Sequence, residues 1–268
     1  MNGAASVNLR TLQKMKQQGE KIAMLTAYDA SFAALLDRAG IDSILVGDTL
    51  GQMVQGKSST LPVSVDDCVY HCSAVRRGAA RPFLIADMPF MSYHSVAVAL
   101  ENAGRLMKET EAQMVKLECS AAQENIVKAM ADQGIPVCAH LGLRPQSVHK
   151  LGGYRVQGRE QAAADEMLKQ AEALQAAGAD MLLLEAVPAG LAGQITRQSQ
   201  VPVIGIGAGA ECDGQVLVLY DMLGITAGAP PKFVKNFMQD AGSIEDAVRR
   251  YVQEVKAAGF PAVEHTYA

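Results

Sequence analysis

FLIAD (83–87) and MVKLE (114–118) are two short apolar runs of the same kind, and each ends in a carboxylate. Neither alternates strictly between apolar and polar residues, as a strand with one wet face would. Continuous apolarity over about five residues fits a parallel strand buried on both faces. Between them, residues 95–110 have helical periodicity. Strand, helix, strand in that order is the repeating unit of a parallel α/β fold.

The same unit recurs on both sides. KIAMLTAYD (21–29) and SILVGD (43–48) precede it, and PVCAHLG (136–142), MLLLEAV (181–187), VPVIGIGAG (201–209) and QVLVLYD (215–221) follow. Helices are predicted at 31–39, 65–78, 95–110, 121–133, 160–177, 188–199 and 243–259, the last opening at Ser243 and closing at Gly259. Eight strand–helix units in 268 residues point to a single-domain (β/α)₈ TIM barrel, an α/β fold spanning 1–268 with a short N-terminal segment. An open doubly wound sheet is the rival. No Pro/Ser-rich linker divides the chain.

Composition narrows the function. Lys plus Arg is 24 against 28 for Asp plus Glu, a net charge of −4, so no broad attraction to nucleic acid or anionic lipid is expected. Aromatic residues are 5% and Trp is absent, which disfavours an aromatic stacking platform. No apolar run reaches membrane length, and the first 21 residues lack a signal-peptide core. The five cysteines are then expected to be reduced thiols in a cytoplasmic protein. Cys68, His71 and Cys72 lie in a helical stretch without a second ligand pair, and read as a helix face, not as a zinc site.

The polar residues at the strand ends carry the chemistry: Asp48, Asp87, Lys116 with Glu118, His140 and Glu185. In a barrel the C-terminal strand ends form the active-site face. Lys116 and Glu118 are two apart and share one strand face. Several carboxylates with one Lys and one His make a hard-oxygen site suited to Mg²⁺, and a spare carboxylate can serve as general base. GIGAGA (205–210) fits a dinucleotide fingerprint weakly; a tight turn closing the pocket floor is the plainer reading. RPQSVHKLGGYRVQGRE (144–160) reads either as a solvated linker or as a lid over the mouth of the fifth strand.

LTAYDASFA (25–33), ILVGDTLGQMVQG (44–56), IADMPFMSY (85–93), MVKLE, PVCAHLGLRPQSV (136–148), GGYRVQGR (152–159), LLLEAVP (182–188), PVIGIGAG (202–209) and PKFVKNF (231–237) together resemble the ketopantoate hydroxymethyltransferase family, from about residue 8 to 265. The resemblance implies a barrel related to the phosphoenolpyruvate mutase/isocitrate lyase group. It implies transfer of a hydroxymethyl group from 5,10-methylenetetrahydrofolate to 3-methyl-2-oxobutanoate, giving 2-dehydropantoate on the route to pantothenate and coenzyme A. It further implies Mg²⁺, a cytoplasmic location and a homodecamer built as a pentamer of dimers. Position by position, Asp48 matches the metal-binding aspartate and Asp87 the second aspartate, which touches metal and keto acid. Lys116 matches the substrate-binding lysine, Glu118 the acidic residue at the metal, and Glu185 the general base. His140 lines the site. Thr49 stands where the family usually has Ser, and keeps the hydroxyl expected to bind the substrate carboxylate. Two alternatives remain at this level: a Mg²⁺-dependent C–C or P–C lyase of the same barrel group, and a barrel that assembles without catalysing.

Overall fold

The computed structural model describes residues 5–268. Eight parallel strands close on themselves in chain order: β1 (Ile22–Thr26), β2 (Ser43–Val46), β3 (Phe83–Asp87), β4 (Met114–Glu118), β5 (Val137–Gly142), β6 (Met181–Glu185), β7 (Val203–Ile206) and β8 (Gly214–Leu217). Closure is made by β1 pairing with β8, with Ile22 opposite Gly214 and Leu25 opposite Leu217. The barrel reading therefore holds over the open sheet.

The helices are α1 (Leu9–Gln18), α2 (Ala30–Ala39), α3 (Leu50–Met53), α4 (Val65–Gly78), α5 (Val96–Thr110) and α6 (Glu124–Asp132). They continue with α7 (Val148–Leu151), α8 (Gln161–Ala176), α9 (Ala189–Gln198), α10 (Leu219–Met222) and α11 (Ile244–Lys256). Every strand is buried along its length except at the tips of β5 and β6, because the barrel interior covers one face and the helices the other. This double burial is why the runs read as continuous apolarity.

Two features depart from regular alternation. Helix α1 falls in the N-terminal segment; residues 1–4 of that segment lie outside the described residues. Only Leu12 and Met15 are buried in α1, a stripe too narrow to mark a helix from sequence. It is tied to residues just ahead of the strands. Lys16 Nζ pairs with Asp213 Oδ2 at 2.7 Å, and Val7 N–H donates to Arg81 O at 2.8 Å. The second departure is that β7 passes to β8 through residues 207–213 with no helix between them.

Helix α4 buries Cys68, Cys72 and Val75 on one face, and His71 Nδ1 lies 2.7 Å from Tyr28 O, so the cysteine–histidine cluster is a packed helix face. All five cysteines are free and buried. Among the described residues no helix is long and apolar enough to cross a membrane.

Candidate active site

Register brings the polar strand ends together. Asp87 on β3 is paired with Lys116 on β4, Glu118 with His140 on β5, and Gly142 at the end of β5 with Glu185 at the end of β6. In a parallel barrel such neighbours share a face, so these side chains rise on one side of the wall. Asp48 and Thr49 follow β2 at the same mouth. All seven residues singled out from sequence line one cavity of about 510 Å³ at the C-terminal ends of the strands.

Glu185 is placed by backbone features as much as by its strand. The next residue, Ala186, has a left-handed backbone (φ 48), which turns the chain away directly after the carboxylate. Opposite it, Gly142 (φ 92) comes so close to Glu185 that a Cβ there would overlap the Glu185 carbonyl. Leu143 N–H donates to that same carbonyl at 2.8 Å.

The ionisable groups at the strand ends are buried or nearly so, and this governs their charge. Burial, reinforced by Asp87, pushes Asp48 up to about 7, with Lys116 and an amide donor from Gln146 opposing it. Burial pushes Glu118 up to about 8 against the backbone N–H of Gln146 and Lys116, and Glu185 up to about 7 against Lys116. Burial alone would lower Lys116, but Asp87, Asp48 and Glu118 outweigh it, so the ammonium stays charged. It forms a 2.6 Å ion pair with Asp87 Oδ1, and Asp87 Oδ2 accepts the backbone N–H of Asp48 at 3.1 Å. His140 is driven well below its usual range by burial and then by Lys116, and is a neutral imidazole. Its Nε2 lies 3.2 Å from Glu185 Oε2, outside hydrogen-bond alignment.

Thr49 Oγ1 and Tyr28 Oη are 2.7 Å apart. Burial holds the Tyr28 hydroxyl protonated far beyond neutral pH, so it can donate to Thr49 and leave the Thr49 proton free to point into the cavity. Tyr28 follows β1 by two residues, and its place at a strand end was the available sequence signal.

The sequence reading missed Gln146. It sits in a 3₁₀ turn (Pro145–Ser147) directly after β5, at the start of the 144–160 segment. Its amide Nε2 donates to Asp48 Oδ2 at 2.9 Å and to Met88 O at 3.0 Å, and its backbone N–H donates to Glu118 Oε1 at 2.8 Å. Further along the segment, Tyr154, Arg155 and Val156 also line the cavity, which favours the lid over the solvated linker. GIGAGA forms a turn and opens no helix, which a dinucleotide loop requires. A Cβ on Gly207 (φ 63) would strike the ring of Phe233, a cavity residue, so this turn packs closely behind that ring.

The donor chemistry accommodates a hard cation. Glu118 Oε2 is buried with no hydrogen-bond partner, and Asp48, Asp87 and Glu118 share the cavity. Among the described residues no three His, Cys, Asp or Glu side chains form a ready-made cage. Magnesium does not need one, because it takes one or two carboxylates and completes its shell with water and substrate oxygens.

Comparison with known proteins agrees with this geometry. The 3-methyl-2-oxobutanoate hydroxymethyltransferase of Alkalilimnicola ehrlichii is 56% identical over 261 residues, covering 97% of this chain and 94% of that protein. The one from Nitrosococcus oceani is 57% identical, covering 97% and 99%. Among solved structures, phosphonopyruvate hydrolase superposes with a TM-score of 0.61 at 13% identity, covering 79% of this chain and 80% of that one. 2,3-Dimethylmalate lyase, a PEP mutase/isocitrate lyase superfamily member, gives 0.60 at 17%, covering 82% and 84%; both likenesses show the fold. The profile of the ketopantoate hydroxymethyltransferases matches residues 6–263. The chain thus belongs to the ketopantoate hydroxymethyltransferase family of enzymes.

Proposed function

We propose that the cavity binds 3-methyl-2-oxobutanoate and joins to its C3 the one-carbon unit of 5,10-methylenetetrahydrofolate. With one water consumed, the products are 2-dehydropantoate and tetrahydrofolate. The observation that carries this is that Lys116, neutral His140 and the carboxylates of Asp48, Asp87, Glu118 and Glu185 line a single cavity, with family membership supporting it. The relatives' shared name supports the keto acid, and the substrate's size suits the cavity.

Asp48 and Asp87 would hold Mg²⁺, with Glu118 direct or through water. The chemistry such an ion supplies when bound is polarisation of a ketone, which acidifies the neighbouring C–H. The Thr49 hydroxyl and backbone N–H receive the substrate carboxylate. Glu185 takes the C3 proton. A base with a proton affinity near neutrality suits this step, and burial places Glu185 there. The Lys116 ammonium, fixed by Asp87, faces the developing enolate charge, and because it is already oriented it needs no reorganisation during the step. Neutral His140 lies beside Glu185 and packs the wall without adding a charge. The enolate carbon then forms the new C–C bond to the one-carbon unit. Both methylene C–N bonds to folate break, water supplies the hydroxyl oxygen, and the proton taken from C3 together with one from water ends on the two folate nitrogens.

We infer also a cytoplasmic homodecamer. The exposed apolar side chains Tyr70, Phe90 and Met91 support assembly, since surface of this kind is commonly covered by another subunit. The deciding experiment is product formation from keto acid and methylenetetrahydrofolate with and without Mg²⁺. Cleavage of the keto acid instead of hydroxymethylation would point to a lyase, and turnover equally fast in chelator would remove the metal from the reading.

A further inference from the structure

Gln146 makes four hydrogen bonds while only 5% exposed, and two of them end on carboxylates that come from different strands. Its side-chain Nε2 reaches Asp48, which follows β2, and its backbone N–H reaches Glu118, the end of β4. The orientation of the amide is set by its neighbours. Met88 O and Asp48 Oδ2 are both acceptors, so the group facing them must be the NH₂. On the other side, Tyr93 Oη donates to Oε1 at 2.5 Å, which a flipped amide could not accept. Tyr93 is itself buried, and burial, with Glu118 next, keeps its hydroxyl protonated. The turn therefore presents one fixed donor to Asp48 and one to Glu118, and leaves Glu118 Oε2 without a partner.

We propose that Gln146 is a positioning residue. It clamps Asp48 through its side chain and Glu118 through its backbone, so that one oxygen of each carboxylate is occupied and the other is presented to the cation. This rests on the reading of Asp48 and Glu118 as cation ligands. Residues that orient ligating carboxylates act on affinity without touching the ion. The clamp also joins the β5–α8 segment to ligands on two other strands, so the loop that reaches over the mouth and the cation site are mechanically one unit.

The test is Mg²⁺ binding by calorimetry, with the Mg²⁺-dependent rise in thermal midpoint as a second readout. Gln146→Met keeps the length of the side chain and the backbone N–H but removes the amide donor. We expect Mg²⁺ affinity to fall about tenfold or more, in the range usual for loss of an orienting partner. The KM for keto acid should rise with it, and saturating Mg²⁺ should restore much of kcat. A role confined to stability would lower the midpoint and leave Mg²⁺ affinity of the folded protein unchanged, and that result overturns the proposal. If Gln146→Met does not fold, Tyr93→Phe decides. Losing the hydroxyl that holds the amide should weaken Mg²⁺ binding by about twofold to tenfold, the size of one neutral hydrogen bond, and unchanged affinity overturns the clamp. Failure of wild-type protein to bind Mg²⁺ would instead overturn the cation reading itself, and with it the premise of this proposal.

Discussion

Lys116 Nζ sits 2.6 Å from Asp87 Oδ1 across the β3–β4 pair, with 7% and 1% of the two side chains exposed. An ion pair this deep is governed by desolvation: each charge is tolerable only because the other is present. Asp87→Asn therefore does more than weaken a cation site. It leaves the Lys116 ammonium buried with its nearest counter-charge gone, and should destabilise the barrel by about 3–5 kcal/mol. Asp87→Leu combined with Lys116→Met should cost less than either single change, although activity is lost. Urea unfolding of the three variants checks this, and a double variant less stable than both singles would show that the pair's main contribution is not mutual charge compensation.

Glu185 is cast as the base, and its step precedes arrival of the one-carbon unit. Wild-type enzyme with Mg²⁺ and 3-methyl-2-oxobutanoate in D₂O should exchange the C3 hydrogen without folate, at a rate that rises with pH through about 7. Glu185→Gln should slow exchange about 10²–10⁴-fold, the usual size of a general-base contribution. Proton NMR follows the exchange directly. Wild-type rates in the variant would transfer the role to another group, and His140, 3.2 Å away, is the nearest candidate.

Thr49 and Tyr28 make a hydroxyl relay at the cavity wall. Thr49→Ser keeps the hydroxyl and should change keto-acid affinity little. Thr49→Val leaves the Tyr28 hydroxyl and a substrate oxygen each short of a partner, and should cost about 1–3 kcal/mol in binding. Calorimetric titration with keto acid distinguishes the two. Equal affinity would mean that the side-chain oxygen of Thr49 is idle.

Stability should depend on pH in an unusual direction. Asp48, Glu118 and Glu185 bind protons more tightly in the folded chain than free carboxylates do, up to about 7, 8 and 7. The folded state then holds more protons than the unfolded state between about pH 4 and 8, and linkage makes stability fall as pH rises through that window. A cation between the carboxylates removes the reason for protonation, so Mg²⁺ should raise the thermal midpoint more at pH 8 than at pH 5. Scanning calorimetry at both pH values tests this. An Mg²⁺ effect of equal size at both would separate the cation from these carboxylates.

Assembly is checked by sedimentation. A decamer predicts about ten times the 28.4 kDa chain mass at micromolar concentration. A fully active monomer would show that the site is complete within one chain and that the exposed apolar side chains serve another purpose.

The eight strands and seven of the helices were legible because their causes are local. A run such as FLIAD has no polar face to turn to water, so it is buried on both sides wherever it ends up, and its terminal carboxylate marks the end that meets the cavity; MVKLE carries Lys116 and Glu118 on one face, and that face is buried because it lines the cavity inside the barrel. That seven residues, from Asp48 to Glu185, would face one cavity followed from that one regularity together with family motifs. Helix α1 was not legible, because it buries only two side chains; the helix-free passage from β7 to β8 was implicit in the runs 201–209 and 215–221, which leave no room for a helix between them. Gln146 shows the limit most plainly. It stands 98 residues from Asp48 and 28 from Glu118 in a turn whose composition reads as loop. A strand announces itself through neighbours two residues away. A buried amide acquires its meaning only when closure of the barrel brings acceptors from β2, β3 and β4 to its donors, and that meeting is decided by the tertiary structure alone.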